Sequence, residues 1–346
     1  MKCSACGKFG IKLKKCTACY SSVRYCNVQC QKSHRKAHKK ECRKIAAEKA
    51  SFDAAVMELP LSNDEVVHPP PRPECPLCMY TLPPNISRQS KYMPCCAQVI
   101  CKACYSSGMD IFPSSGDQFG SSLLANFLPG NFEKQLEKIK CPFCRSADTV
   151  PIKDGQKRHD KRLEERAEGG DATAMLELGK AYYSGRPEFN YEKGKFDDNV
   201  GQDTAKALEC IKKAADLGNG HAFFWLSELH RKNHEAEEYL VCLQKAAQLG
   251  SFEAHVEIAD IALKRDNKKK AMEHYKVLAA AGSIQYSQNA IDHLKAGYTE
   301  GLVTKDEYAS SLRAYQSARE DIMSPDRLRW ARFGVTTDGQ LSPDFL

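Results

Sequence analysis

The sequence contains no stretch of eighteen apolar residues, and its opening, MKCSACGKFG, lacks the apolar run that a secretory leader needs. These absences argue against a membrane span and against a secreted chain stapled by disulfides. Cysteine is nearly missing from the C-terminal part: beyond residue 144 only Cys210 and Cys242 occur. The other fifteen of the seventeen cysteines are crowded into residues 1–144. An intracellular, reducing location is therefore expected, where dense cysteine spacing signals metal. At 346 residues, 27% charged and 42% hydrophobic, the chain reads as an ordinary soluble protein of two or three domains.

Eight potential ligands stand in the first forty-two residues as C-x2-C, C-x2-C, C-x3-C and H-x3-C: Cys3 and Cys6, Cys16 and Cys19, Cys26 and Cys30, His38 and Cys42. A tight turn or one helical turn brings such a pair to one ion, so eight ligands make two tetrahedral zinc sites. Four protein ligands per ion leave no open position for water, which points to structural metal and a binding module. From Cys30 to about Leu59 neither proline nor glycine interrupts the chain, so a helix is expected there. His38 and Cys42, one turn apart, would face the same ion. With few large apolar residues (Phe9, Ile11, Leu13, Val23), a forty-residue segment cannot fold by burial alone. A structural zinc supplies on the order of 10–16 kcal/mol, more than the net stability of a typical domain.

Charge is uneven. Residues 1–50 carry 11 Lys and 3 Arg against 2 Glu, a net of +12, which leaves −5 for the rest of a chain whose total is +7. The run from Lys32 to Lys44 could meet phosphates or an acidic partner. The plainer reading is a solvated helix face whose lysines offset thiolate charge, and nucleic acid is not the expected partner.

Pro60 and the run HPPPRP at residues 68–73 interrupt regular structure, so residues 60–74 read as a stiff linker after a first module of residues 1–44. A second cysteine module follows at 75–146, with pairs Cys75 and Cys78, Cys95 and Cys96, Cys101 and Cys104, Cys141 and Cys144. A long insertion separates the last two pairs, and a short helix is expected in it at Asn131–Ile139. With both modules loaded, about four structural zinc ions are expected.

From residue 158 to about 320 the pattern becomes helical and repeats. Gly218, Gly250 and Gly282 recur every 32 residues, each closing an alanine-rich helix, and Asn219, Ser251 and Ser283 stand next as helix N-caps. An earlier copy aligns Gly170 with Gly218 once a sixteen-residue insertion around Arg186–Gly201 is allowed. About four helix-turn-helix units result, which bury a continuous seam only when stacked and leave a long concave surface suited to proteins or peptides. Cys210, Cys242 and His274 share one repeat position, which indicates packing. His221, His230, His234, His255 and His293 occur singly, without paired carboxylates at matching repeat positions, and read as packing groups. Residues 321–346 form a tail.

These spacings carry resemblances. Residues 3–42 resemble a MYND zinc finger, matching its pattern at every ligand. The resemblance implies a cross-brace in which Cys3, Cys6, Cys26 and Cys30 hold one ion and Cys16, Cys19, His38 and Cys42 the other; spacing alone also allows sequential pairing. It further implies recognition of short proline-containing peptides. A lysine-methyltransferase setting is excluded because nothing downstream resembles a SET domain.

Residues 75–145 resemble a RING-type finger, with CPLC at 75–78, MPCCAQVICKAC at 93–104 and CPFCR at 141–145. The resemblance implies that Leu77, Pro142 and Arg145 contact a ubiquitin-conjugating enzyme or its ubiquitin. Two features depart from the family. No histidine occurs between His68 and His159, and the insertion after Cys104 is long. Adjacent Cys95 and Cys96 can share an ion with Cys141 and Cys144 only across a kinked backbone; otherwise one is a bystander. The repeats resemble the Sel-one-like class of tetratricopeptide relatives through LGKAYYSG at 178–185 and KALECIKKAADLG at 206–218.

The expected fold class is thus small zinc-stabilised modules, MYND-like and RING-like, followed by an all-α helical-repeat solenoid. The expected function is a protein-interaction scaffold that binds proteins or short proline-containing peptides, with no membrane partner. A RING-type ubiquitin ligase whose repeats select substrate is the enzymatic alternative, and in it no residue of this chain would be a nucleophile.

Overall fold

The structure, a computed structural model, describes residues 3–8, 14–16, 23–61, 72–83, 89–108, 140–146, 154–190, 195–200, 202–282 and 284–322. Cys19, Ser283, the expected helix at 131–139 and the tail beyond 322 lie outside the described residues. The chain divides into two compact units, one of residues Met1–Asn63 with Ser227–Val241, the other of Asp64–Leu226 with Cys242–Leu346.

In the first unit, two-residue strands β1 (Lys14–Lys15) and β2 (Arg24–Tyr25) pair antiparallel, and helix α1 runs Val28–Glu58. Asn27 starts α1 by accepting the Cys30 N–H at 2.8 Å. Leu59 ends it in an extended conformation, φ −62 and ψ 138, as a residue preceding Pro60 must. Toward its C-terminus α1 buries Phe52 and Val56, and the Phe52 ring stands 5.9 Å from His234 and 5.5 Å from Tyr239.

The second unit opens with the second cysteine module. A bridge joins Glu74 to Thr81, strands β3 (Ser90–Met93) and β4 (Gln98–Cys101) form a hairpin in register Ser90↔Cys101, and α2 spans Lys102–Gly108. Leu82, Met93, Ile100 and Ala103 pack with the sulfurs of Cys75, Cys101, Cys104 and Cys141 as its core.

Consecutive helices follow: α3 (Asp154–Glu168), α4 (Ala172–Ser184), α5 (Thr204–Asp216), α6 (Gly220–Asn233), α7 (Ala236–Gln248), α8 (Phe252–Lys264), α9 (Lys268–Ala279), α10 (Ile284–Thr299) and α11 (Lys305–Ile322). Within the second unit α3 packs on α4, α4 on α5, α8 on α9, α9 on α10, and α11 against both α9 and α10. The fold class is the expected one, cysteine-rich modules ahead of a helical-repeat array.

The turns explain the period. Gly170, Gly218, Gly250 and Gly282 all have positive φ, between 72° and 89°, which closes each helix at no steric cost. Asp171, Asn219 and Ser251 then accept N–H groups of the next helix. Buried Ala174, Ala222 and Ala254 recur three residues later. Gly179 serves a different purpose: a Cβ there would lie 2.6 Å from Ile211 Cγ1 and 3.2 Å from the Ala207 carbonyl oxygen, so only a bare backbone lets α4 and α5 approach. The inserted stretch between them is itself structured. Strands β5 (Arg186–Asn190) and β6 (Lys195–Val200) pair antiparallel with an irregularity between Arg186 and Glu188.

The second cysteine module docks on the first helices of the array. Tyr92 on β3 packs with Leu163, Ala167, Ala174 and Leu178, and its hydroxyl donates to Asp171 Oδ2 at 2.6 Å. Arg166 Nε donates to the Pro94 carbonyl at 3.2 Å, next to Cys95. Arg72 donates to the carbonyls of Leu82 (3.0 Å) and Ala281 (2.9 Å), with its guanidinium 5.6 Å from the Phe252 ring.

Candidate metal centres

Three C-x2-C segments fold into the same turn. The amide after the second cysteine donates to the first cysteine's carbonyl at 2.9 Å each time: Gly7 to Cys3, Met79 to Cys75, Arg145 to Cys141. The first cysteine's own N–H closes the loop on Lys8, Tyr80 or Ser146. Gly7, Met79 and Arg145 all sit at positive φ, 72°, 60° and 61°. Two of the three are not glycine, so strain of about 1 kcal/mol or more is held at each by the surrounding turn.

These turns bring the ligands together in groups. Cys3, Cys6, Cys26 and Cys30 form one, Cys75, Cys78, Cys101 and Cys104 a second, Cys95, Cys96, Cys141 and Cys144 a third, and Cys16, His38 and Cys42 a fourth, with all ligand atoms of a group within 4.8 Å of one another. Cys19, expected from its spacing to join them, lies outside the described residues. A tetrahedral zinc with arms of about 2.3 Å needs sulfur separations of about 3.8 Å. Observed separations are 3.7 Å for Cys6 and Cys26, 3.8 Å for Cys16 and Cys42, 3.9 Å for Cys78 and Cys101 and for Cys96 and Cys141, and 3.5 Å for Cys95 and Cys144. The donor sets therefore fit zinc. In the finger the groups are interleaved along the chain rather than sequential.

Cys95 and Cys96 both reach the third group, their sulfurs 4.0 Å apart. The kink that this requires is the tip of the β3–β4 hairpin: the Cys96 N–H donates to the Met93 carbonyl at 3.2 Å and Ala97 takes φ 55. Arg166 fixes the same tip from α3 through Pro94.

Proton affinities inside the groups diverge. The Cys6 amide holds the Cys3 thiol down to about 6, while the neighbouring Cys26 thiol pushes Cys30 up to about 12. Hydrogen bonds from Cys101 and Cys104 lower Cys75, while Cys101 and Cys75 in turn raise Cys104. Burial raises Cys96 to about 11. Adjacent thiolates repel, so without a cation some sulfurs keep their protons; a divalent ion removes that repulsion and lets all four ionise. Four protein ligands then close the coordination shell, which suits structure rather than metal chemistry.

Tyr25 and His34 support the fourth group, and the spacing rules had not singled them out. The Tyr25 hydroxyl lies 3.0 Å from His34 Nδ1, and the His34 ring stacks on His38 at 6.0 Å and 14°. The available signal was His34 standing one turn before His38. Of the residues that the RING resemblance implicates, Leu77 and Arg145 are exposed and Pro142 is buried. Beside them Met79 and Phe143 are exposed by 66% and 44%, two large apolar side chains in water.

Cys210 is half-buried beside the Tyr92 cluster, and burial raises its thiol. Several histidines that read as isolated have neighbours in space. His255 and His274, both buried, meet Nδ1 to Nδ1 at 2.8 Å, and His221 lies 3.8 Å from Glu253. Among the described residues no helix is long and apolar enough to cross a membrane. Residues 3–42 match the model of the MYND finger family. No curated protein matches the chain.

Proposed function

We propose that the protein is an intracellular interaction scaffold stabilised by about four zinc ions. The observation that carries this reading is the set of interleaved ligand groups, three of them four-sulfur clusters of the size that a tetrahedral ion needs and the fourth two sulfurs with an imidazole. In it a finger at residues 1–44 takes a short proline-containing peptide, a RING-like module at 75–146 engages a second protein, and Sel-one-like repeats at 158–320 hold a client. The ligands are those of the four groups together with Cys19. A purified, zinc-loaded full chain tested against a library of proline-containing peptides should show saturable binding that His38→Ala abolishes and Arg145→Ala spares. Absence of binding across the library, or binding indifferent to His38→Ala, contradicts the reading.

The exposed side chains at two of the turns support a second reading, a RING-type ubiquitin ligase. Leu77, Arg145 and, in place of the buried Pro142, Phe143 would receive a charged conjugating enzyme. Catalysis would then consist of holding two bound groups together. Ubiquitination with a panel of conjugating enzymes should yield chains that disappear in Arg145→Ala and Phe143→Ala; silence across the panel removes the ligase and leaves the scaffold.

A further inference from the structure

Helix α1 has two opposite faces. Cys30, His34, His38 and Cys42 recur every fourth residue and turn inward, His38 being buried and the other three half-buried. Lys32, Arg35, Lys36, Lys39, Lys40 and Arg43 are all exposed and fall within an arc of roughly 140° on the other side. Among the described residues no ion pair involves any of the six; the nearest pair on the helix is Lys44 with Glu48 at 3.8 Å. Glu41, the one acid between Lys32 and Arg43, and Glu48 just beyond lie outside the arc. Cations turned away from the thiolates are poorly placed to offset their charge, so the solvated-face reading loses its electrostatic reason.

We propose that this face of α1 binds the phosphate backbone of nucleic acid without reading base sequence. From Lys32 to Arg43 the face is about 17 Å long at 1.5 Å per residue. A duplex presents one phosphate charge per about 1.7 Å of axis, so each side chain has a phosphate within reach. The composition of the face favours this partner over an acidic protein. Exposed ion pairs contribute little individually, and protein interfaces depend on a desolvated core with large apolar or aromatic anchors. Between Lys32 and Arg43 the arc holds no such anchor. Backbone binding needs only cations, because its free energy comes from released counterions.

The test uses the zinc-loaded full chain and a labelled DNA duplex of about 20 base pairs, titrated by fluorescence anisotropy from about 50 to 200 mM salt. The expected logarithmic slope of affinity against salt is about −4 to −5, for four to six phosphate contacts. Replacing Lys32, Lys36, Lys39 and Arg43 by Gln should lower affinity at least about 100-fold at low salt and flatten the slope by about 3 to 4. Zinc content should be unchanged, since these positions face away from the ligands. The single substitution Lys39→Glu, a smaller disturbance, should cost at least about tenfold. The proposal is overturned by absence of duplex binding at low salt, or by affinity that both variants leave intact. Capture of polyglutamate with the duplex ignored also overturns it and assigns the face to an acidic protein.

Discussion

At Tyr92 one side chain ties the second cysteine module to the helices. Its ring sits among Leu163, Ala167, Ala174 and Leu178, and its hydroxyl donates to Asp171, whose other oxygen caps α4 through the N–H groups of Thr173 and Ala174. Burial, reinforced by the Asp171 charge, pushes the phenol upward, so it remains a donor at any physiological pH. Tyr92→Phe keeps the ring and removes the hydrogen bond to a carboxylate, which should cost about 1.5–3 kcal/mol in denaturant unfolding of the helical region. A variant as stable as wild type would show that ring packing alone holds the module. None of this contact was legible in the sequence. Tyr92 and Asp171 are 79 residues apart, and the capping motif that contains Asp171 gives no sign of a partner so distant in sequence. The ligand spacings were legible because a C-x2-C turn is closed within six residues. Cys95 and Cys96 stood between: the need for a kink could be read, but its source in a hairpin tip braced by Arg166 could not.

Among the elements, α4 and α5 depend on Gly179. Valine there must displace Ile211 or the Ala207 carbonyl, and overpacking of this kind outweighs the roughly 0.5 kcal/mol by which valine exceeds glycine in helix propensity. Gly179→Val should lower the stability of the helical region by about 1–3 kcal/mol; an unchanged midpoint in chemical denaturation would contradict the close approach. Helices α8 and α9 meet through His255 and His274. Burial first, then the neighbouring His255 and Lys270, hold the His274 imidazole down to about 3 against an ordinary 6.5. Between those values the unfolded chain takes up a proton that the folded one refuses. The stabilisation is therefore complete above about pH 6.5 and is lost as pH falls toward 3, by up to about 1.4 kcal/mol per pH unit. Urea midpoints from pH 7 to pH 5 should fall more steeply for wild type than for His274→Gln, and parallel slopes would count against a buried neutral ring. The glycine period and the caps announced these helices in advance, since each is local. The β5–β6 hairpin was passed over as an insertion because RPEFN and KFDDNV lack a sustained alternation of apolar and polar residues.

Across the whole molecule the two kinds of module are stabilised differently. The helical array buries many aliphatic residues, among them Ile211, Leu243, Leu278 and Leu294. The second cysteine module offers Leu82, Met93, Ile100 and Ala103, and the finger's small cluster centres on Cys16 and Tyr25. Apolar burial at about 25 cal/mol per Å² is too little to hold such small cores against chain entropy, and the scaffold proposed above has metal make up the difference. The cysteine crowding and the scarcity of large apolar residues that motivate this proposal were legible in composition. What composition could not supply is the exposure of Met79 and Phe143 or the separation of α1 into a ligand face and a cationic face, because both follow from the way the turns and the helix are docked. The most direct test of the account is elemental analysis of purified, buffer-exchanged protein. Close to four equivalents of tightly held zinc per chain are expected, and their removal by a strong chelator should unfold both cysteine modules. Fewer than two equivalents, or modules that keep their fold after exhaustive chelation, would contradict it.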